Sequence, residues 1–228
     1  MKGTEHIFFD LDHTLWDYQR SSKETLMEIY QSFLIINHSV SEKRFLNAFY
    51  EINDRLWHQY NIGEVDRNYI KEYRFKAIFK HLNLDQSISQ EVSSYFLSHC
   101  PLKPYLMPDT LVALNYLQPK YSLHIITNGF LDSQTNKIKN SGISKYFEVV
   151  VTSECVHARK PSKEIFEYAL AKAGASKQTS IMIGDNPKTD IIGAKGCGIK
   201  TILYDPAQNQ KSLADYSISS HLELSQIL

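Results

Sequence analysis

Two aspartates, Asp10 and Asp12, follow an apolar run that reads as the first buried strand, in the stretch HIFFDLDHTLWD. Aspartate is depleted in strands, and two neighbouring carboxylates repel each other unless a positive charge lies nearby. Later apolar runs are also followed by side chains that can bind ions or move protons, namely Thr127, Asn128, Lys160, Asp185 and Asp190. Carboxylates, hydroxyl groups and an ammonium group suit a divalent cation and a phosphate ester, so these residues indicate phosphoryl transfer.

The carboxylates predict a metal site. Three or more of them in one crevice repel each other, and one lysine cannot neutralise them all. An all-oxygen site of this kind suits a hard divalent cation, and Mg²⁺ is the expected cofactor because it binds through one or two carboxylates and a substrate phosphate. Asp185 is expected to hold this ion.

The same residues predict a reaction in two steps. Asp10, nearest the strand, is the expected nucleophile, so that one difficult displacement becomes the formation and hydrolysis of an aspartyl phosphate. Asp12 is expected to protonate the leaving group and then to deprotonate the attacking water. Thr127 is expected to donate a hydrogen bond to a phosphate oxygen, Asn128 to contact the substrate beside it, and Lys160 to neutralise the transferring group.

Two of these residues also have a structural interpretation. Lys160 precedes the helix that Pro161 and Ser162 predict, where a lysine is often a solvated surface residue. Because the helix dipole opposes a cation at that end, nearby carboxylates would have to compensate if Lys160 is functional. Asp190 is interpreted either as a cap of the following helix or as a support behind the metal ligands, and the sequence leaves both open.

Five short apolar runs predict the strands that must position these residues, at residues 7–9, 123–126, 147–151, 181–183 and 201–204. From the second run onward, segments with helical spacing of apolar residues alternate with them. Continuous apolar strands alternating with helices predict an α/β fold with a doubly wound parallel sheet. Such a sheet binds ligands at the carboxyl ends of its strands, which is where the candidate residues lie.

A long insertion separates the first two predicted strands. It spans about a hundred residues, far more than the usual connection. Apolar residues recur there at helical spacing, as in Phe45, Phe49, Ile52 and Leu56, and predict a bundle of about four amphipathic helices. We therefore expect a core domain of residues 1–16 and 105–228 and an inserted helical domain of residues 17–104.

Composition restricts the partners and the compartment. Lys and Arg total 25, as do Asp and Glu, so no overall field attracts nucleic acid or an anionic membrane, and neither is an expected partner. Three widely spaced cysteines form no C-x-x-C pair, which fits a reducing compartment. No apolar run approaches the ~18 residues that span a bilayer, and no signal-peptide pattern is found, so a cytoplasmic location is expected.

The motifs resemble those of the haloacid dehalogenase superfamily. DLDHT matches its D-x-D-x-T motif, IITNG resembles its second motif, RKP its third and GDNPKTD its fourth, in that order. The resemblance implies a Rossmann-like core with strand order five, four, one, two, three, and Mg²⁺ held by Asp10, the Asp12 backbone carbonyl and Asp185. It also implies that Asp190 lies behind these ligands or supports Lys160, and that the inserted helices form a cap that closes over the site.

Within that superfamily, the segments IFFDLDHTLWD, LWHQYNIGEV and VTSECVHARKPSKEIFEYAL resemble the bacterial noncanonical pyrimidine nucleotidases. This implies a small phosphomonoester substrate, a nucleoside 5′-monophosphate. A sugar-phosphate phosphatase or a phosphomutase is the alternative, because both share the motifs and a helical cap.

Two other classes fit the residues less well. A dehalogenase typically lacks the second aspartate, since a halide leaving group needs no proton, so Asp12 favours phosphate chemistry. A receiver-like signalling module also uses a phosphorylated aspartate, but such domains are much shorter and have no cap. The sequence leaves the oligomeric state open.

Overall fold

The structure, a computed structural model, describes residues 3–34 and 40–228. The predicted ranges 1–16 and 17–104 include residues 1–2 and 35–39, which lie outside the described residues. One sheet of six parallel strands has the order β3-β2-β1-β4-β5-β6. Its strands are β1 (His6–Phe9), β2 (Ser122–Thr127), β3 (Val149–Thr152), β4 (Ser180–Gly184), β5 (Lys200–Tyr204) and β6 (Tyr216–Ile218).

The sheet confirms the predicted fold class, an α/β fold on a Rossmann-like parallel sheet, and its first five strands have the order that the family resemblance implied. Two details differ from the prediction. The strand predicted at 147–151 is β3, which begins two residues later, because Phe147 closes the 3₁₀ turn Ser144–Tyr146 and packs edge-on against Phe9 at 6.3 Å. Strand β6 was not predicted, because Ile218 is its one buried residue and the segment forms no apolar run.

Strand β1 lies in the middle of the sheet, paired with β2 on one side and β4 on the other. Ile7, Phe8 and Phe9 are fully buried, as expected for a parallel strand covered on both faces. Phe8 belongs to an apolar cluster that includes Ile126, Phe166 and Met182. Asp10, the residue that follows β1, is therefore positioned by a buried strand in the middle of the sheet.

The chain divides into two compact units, one of Met1–Tyr18 with Pro104–Leu228 and the other of Gln19–Lys103. The interval predicted to be helical contains α1 (Tyr18–Ile29), α2 (Glu42–Asn61), α3 (Arg67–His81) and α4 (Ser89–His99).

The helical unit is held together by aromatic packing. The rings of Phe49 on α2, Phe75 on α3 and Phe96 on α4 contact one another with centroids 5.1–5.8 Å apart. Two of the helices begin at side-chain caps, since Ser41 accepts from the Arg44 N–H and Asp66 accepts from the Tyr69 N–H. Apolar packing thus joins the three helices, and side-chain caps fix where α2 and α3 begin.

The helices of the unit that contains the sheet are α5 (Thr110–Leu117), α6 (Leu131–Asn140), α7 (Ser153–Val156), α8 (Lys163–Ala173), α9 (Ile192–Gly196) and α10 (Leu224–Ile227). Three of them, α6, α8 and α9, follow strands β2, β3 and β4 along the chain. Across the described residues, no helix is both long and apolar enough to cross a membrane.

His124 on β2 is a fully buried titratable residue. Its Nε2 lies 3.1 Å from Nδ1 of His6, its ring contacts the Phe8 ring at 4.8 Å, and its Nδ1 has no hydrogen-bond partner among the described residues. Burial and the neighbouring His6 lower the pKa of His124 to about 4 from its ordinary 6.5. Between about pH 4 and pH 6.5 the folded protein therefore keeps this imidazole neutral, whereas the unfolded chain protonates it.

We expect His124→Phe to remove the part of the pH dependence of stability that this imidazole contributes. As the pH falls from 6.5 towards 4, the unfolded wild type binds a proton that the folded protein does not, which lowers its free energy of unfolding by about 3 kcal/mol. Urea unfolding of both metal-free proteins across this range measures the difference, and the comparison cancels opposite contributions from buried carboxyl groups. Parallel pH profiles for the two proteins would show that His124 carries no such linkage.

Candidate active site

The carboxyl ends of β1 and β4 bring three aspartates together. Strands β1 and β4 are neighbours, and the Asp10 N–H continues their pairing with a 2.9 Å bond to the Ile183 carbonyl. Asp185 directly follows β4, and Asp190 lies in the short π-helix Pro187–Ile191. Carboxylate oxygens of Asp10, Asp185 and Asp190 all lie within 4.8 Å of one another.

The Lys160 ammonium lies between two of these carboxylates, with 2% of its side chain exposed. Its Nζ donates to Asp10 Oδ1 at 2.5 Å, to the Ile126 carbonyl at 2.8 Å, and lies 2.7 Å from Asp190 Oδ1. These three acceptors match the three N–H donors of an ammonium group. The lysine is therefore held in one position beside Asp10.

One ammonium group pairs with the buried carboxyl groups of Asp10 and Asp190, while the half-buried Asp185 lies close by with no cation of its own in the described part of the chain, and the pKa values reflect this imbalance. Burial, with repulsion from Asp190 and Asp185, raises the pKa of Asp10 well above its ordinary range against the opposing effect of Lys160. Burial and the Asp190 carboxylate raise the pKa of Asp185 to about 7. Burial alone would lower the pKa of Lys160, but Asp10 and Asp190 raise it above its ordinary value, so the ammonium stays charged.

The donor set fits a hard divalent cation. Three carboxylates and one ammonium leave two negative charges in excess, and carboxylate oxygens are the ligands that Mg²⁺ prefers. Both oxygens of Asp190 already have partners, because Oδ1 faces Lys160 and Oδ2 accepts a hydrogen bond from the Asn186 N–H at 3.0 Å. Asp10 and Asp185 are the carboxylates best placed to bind an ion, and Thr14 orients Asp185 through a 3.1 Å hydrogen bond.

Gly184 makes room for the Asp190 carboxylate, and a Cβ at position 184 would overlap with Oδ2 of that side chain. Asp190 is 1% exposed, so the overlap falls on a buried side chain that contacts Lys160. We therefore expect Gly184→Ala to displace Asp190 from Lys160 and to lower turnover by about 100-fold, the cost of a misplacement near 1 Å. Steady-state kinetics measures this loss.

Gly196→Ala is the matched control for this variant. A Cβ at position 196 meets nothing within 4 Å, and the backbone there has no positive φ. The control should retain wild-type turnover. Equal rates for both variants would mean that the contact between Gly184 and Asp190 has no effect on the reaction.

The Thr127 hydroxyl, at the end of β2, is arranged to donate. It accepts one hydrogen bond from the Gly129 N–H at 3.1 Å and another from Gln134 Nε2 at 2.7 Å. A hydroxyl oxygen has two acceptor positions, so its own hydrogen is available for an oxygen of a ligand. This geometry suits the role that the sequence predicts for Thr127.

Asn128 contacts the backbone of Lys160. Its Oδ1 accepts from the Lys160 N–H at 2.8 Å, and its Nδ2 donates to the Lys160 carbonyl at 3.0 Å. This pair of bonds ties the end of β2 to the loop before α8. The predicted substrate contact of Asn128 stays a prediction, and these bonds add a role in holding Lys160.

The Asp12 carboxylate is bound away from the three-aspartate cluster. Both of its oxygens lie within 2.9 Å of the Lys137 ammonium, and Oδ2 also accepts from Gln134 Nε2 at 2.9 Å. Burial would raise the pKa of Asp12, but Lys137 and the hydrogen bonds from Lys137 and Gln134 outweigh it, so the pKa lies below its ordinary value. Asp12 is therefore held as a carboxylate.

Lys137 and Gln134 were not predicted from the sequence, and Thr14 was predicted only as part of the DLDHT motif. The spacing of Gln134 and Lys137 is the signal that could have identified them. Residues three apart on a helix project from the same face, and α6 begins shortly after the TNG segment. The spacing does not show which carboxylate that face meets, since Asp12 and Lys137 are 125 residues apart in sequence.

The fold and this site define a class of hydrolase. Residues 7–204 match the family of haloacid dehalogenase-like hydrolases, and the chain belongs to that family. This family match confirms the prediction that the protein is an enzyme, a phosphatase of the haloacid dehalogenase type. The match also favours an enzyme over a receiver-like module.

Particular relatives span nearly the whole chain. Pyrimidine 5′-nucleotidase YjjG of Escherichia coli is 27% identical and covers 97% of this chain and 96% of its own. A glyceraldehyde 3-phosphate phosphatase of Methanothermobacter thermautotrophicus is 28% identical, with 86% and 84% covered. The HAD-hydrolase YfnB of Bacillus subtilis, solved bound to magnesium, shares the fold with a TM-score of 0.91 at 24% identity, with 100% and 99% covered.

Proposed function

We propose that this protein is a Mg²⁺-dependent phosphomonoesterase that forms an aspartyl phosphate at Asp10, and that its substrates are pyrimidine nucleoside 5′-monophosphates. The observation that carries the proposal is the buried Asp10 carboxylate, bound by Lys160 and close to Asp185. A carboxylate fixed beside an ammonium group and a metal site is oriented to attack phosphorus while the charge of the phosphate is neutralised.

Asp10, Asp185 and the Asp12 backbone carbonyl would hold the Mg²⁺ ion. The excess negative charge of the cluster and its purely oxygen donors support this assignment. When bound, Mg²⁺ offsets the charge of the phosphate and of the carboxylates. The magnesium in the crystal structure of YfnB supports the choice of ion.

In the first step, an oxygen of Asp10 attacks phosphorus and the bond from phosphorus to the leaving alkoxide breaks. Asp12, a carboxylate in the free site, takes up a proton when the phosphate dianion binds beside it, because a neighbouring negative charge raises its pKa, and it gives that proton to the alkoxide. Thr127 donates its free hydrogen to a phosphate oxygen, and Lys160 remains beside the developing negative charge. The products are an aspartyl phosphate and the free alcohol.

In the second step, water attacks the phosphorus of the aspartyl phosphate. Asp12, now a carboxylate, takes a proton from that water, and the bond from phosphorus to the Asp10 oxygen breaks. Orthophosphate leaves and Asp10 is restored. The contacts of Asp12 with Lys137 and Gln134 stabilise the ionised form that this step requires.

Substrate choice rests on the relatives and on the resemblance of several segments to pyrimidine nucleotidases. YjjG, a pyrimidine 5′-nucleotidase, aligns over nearly the full length. A sugar phosphate is the second candidate substrate, favoured by the glyceraldehyde 3-phosphate phosphatase at similar identity. Both share the chemistry proposed for Asp10, so the two candidates differ in the alcohol that leaves.

Phosphate release by the purified protein tests the proposal. The panel comprises UMP, dUMP, dTMP, purine nucleoside monophosphates and sugar phosphates, each with Mg²⁺ and with a chelator. We expect Mg²⁺-dependent release that favours pyrimidine nucleotides. Release from sugar phosphates alone would overturn the substrate, isomerisation without release would indicate a mutase, and undiminished release in the chelator would overturn the metal requirement.

A further inference from the structure

Lys137 is a second buried lysine in this part of the fold, and the only role given to it so far is to stabilise the ionised form of Asp12. It lies on α6 with 6% of its surface exposed. Its Nζ is 2.7 Å from Asp12 Oδ1 and 2.9 Å from Oδ2, and 4.6 Å from the centre of the Trp16 ring. The Lys137 ammonium is thus held by both oxygens of Asp12 and by the face of the Trp16 ring. The same ammonium fixes the position of the Asp12 carboxylate.

Gln134 completes this arrangement from one turn earlier on α6. Its Nε2 donates to Asp12 Oδ2 at 2.9 Å and to the Thr127 hydroxyl at 2.7 Å, so one amide group links two residues of the proposed reaction. The link depends on Gly129, because a Cβ there would overlap with the Gln134 amide. The face of α6 formed by Gln134 and Lys137 is therefore the support on which the Asp12 carboxylate rests.

Burying an ammonium group needs a reason beyond packing. Removing a lysine from water costs free energy that its ion pair only partly returns, and replacing both members of a buried pair by apolar side chains often costs no stability. Met at position 137 would keep an unbranched apolar stem but lose the ammonium that faces Trp16. It would also lose the pair of bonds that sets the direction of the Asp12 carboxylate.

From these contacts we infer that Lys137 and Gln134 are positioning residues that hold the Asp12 carboxylate in place for the hydrolysis of the aspartyl phosphate. The inference rests on the proposed function, in which Asp12 takes a proton from the attacking water and the bond from phosphorus to Asp10 then breaks. A carboxylate held at three points needs no reorientation when the water arrives.

Pre-steady-state kinetics with p-nitrophenyl phosphate and Lys137→Met tests the inference. The p-nitrophenolate group leaves without a proton, so the first step should survive and release about one p-nitrophenolate per enzyme in a burst. The following steady state should be about 10- to 100-fold slower than in the wild type, because the second step has lost its positioned carboxylate. A merely structural defect would instead lower the burst amplitude, which counts intact sites.

Three further variants make the test specific. Lys139→Met changes an exposed lysine two residues along α6 and should keep both the burst and the steady-state rate. Gln134→Met removes a single donor to Asp12 and should slow the steady state less than Lys137→Met does. Asp10→Asn should give no burst.

The outcomes separate this inference from the proposed function. A Lys137→Met protein with a full burst and a wild-type steady-state rate would overturn the positioning role alone. A burst that shrinks in proportion to the steady-state rate would also overturn it, because the lysine would then serve only to keep sites intact. A wild type that releases phosphate from no pyrimidine nucleotide, or an Asp10→Asn protein that keeps its burst, would overturn the proposed function itself.

Discussion

Asp10→Asn is expected to lower turnover by about 10⁴-fold or more, while the protein remains folded. Asparagine keeps the shape of the side chain, but its amide cannot form the acyl phosphate that divides the reaction into two steps. The replacement also removes one of three like charges in the buried cluster, so the site loses repulsion as well as its nucleophile. Steady-state phosphate release measures the loss, and urea unfolding measures the retained stability.

The control for this prediction is Asp85→Asn. Asp85 is an exposed carboxylate bonded to the neighbouring Ser87, and its replacement should leave turnover unchanged. Mass spectrometry of the Asp10→Asn protein excludes deamidation back to aspartate. A fully folded, undeamidated Asp10→Asn protein with wild-type turnover would contradict the nucleophile assignment.

Lys160→Met is expected to lower both activity and stability. The ammonium bonds Asp10 and lies 2.7 Å from Asp190, so removing it leaves two carboxylates buried beside each other without a cation. Breaking a buried pair in this way costs about 3–5 kcal/mol of the free energy of unfolding. Urea unfolding in a chelator measures the effect without stabilisation by added metal.

A second replacement separates the charge effect from a general loss of packing. Adding Asp190→Asn to Lys160→Met removes one of the unpaired carboxylates and should restore part of the stability, so the two single effects should not add. Turnover should stay low in the double variant, because the cation beside Asp10 is still missing. Strict additivity of the two stability changes would contradict the shared buried network.

The positions of the central strands could be predicted because a parallel strand covered on both faces must be continuously apolar. The short runs before Asp10 and Asp185 meet that condition, and their neighbouring places in the sheet bring the two carboxylates together. Strand β6 does not meet it, since two of its three residues are exposed. Apolar runs therefore predict the centre of a sheet better than its edge.

The candidate site could be predicted in part for a related reason. Residues at the carboxyl ends of central strands, or directly after them, must lie at one edge of the sheet, which applies to Asp10, Thr127 and Asp185. The need of Lys160 for acidic partners also followed from its place before α8, and in the structure those partners are Asp10 and Asp190.

Side chains on a helix are harder to assign from sequence. The partner of Lys137 depends on how α6 is rotated against the loop after β1, which is set by packing across the whole unit. The pairing of Lys137 with Asp12 joins residues 125 positions apart, and no local pattern specifies it.

The measurement that tests the account most directly is chemical trapping of the acyl phosphate during turnover. Borohydride reduces an aspartyl phosphate to homoserine, and mass spectrometry locates the changed residue. We expect homoserine at position 10, formed only when both substrate and Mg²⁺ are present. Steady phosphate release with no homoserine at position 10, or with homoserine at another aspartate, would contradict the central claim that Asp10 is the nucleophile.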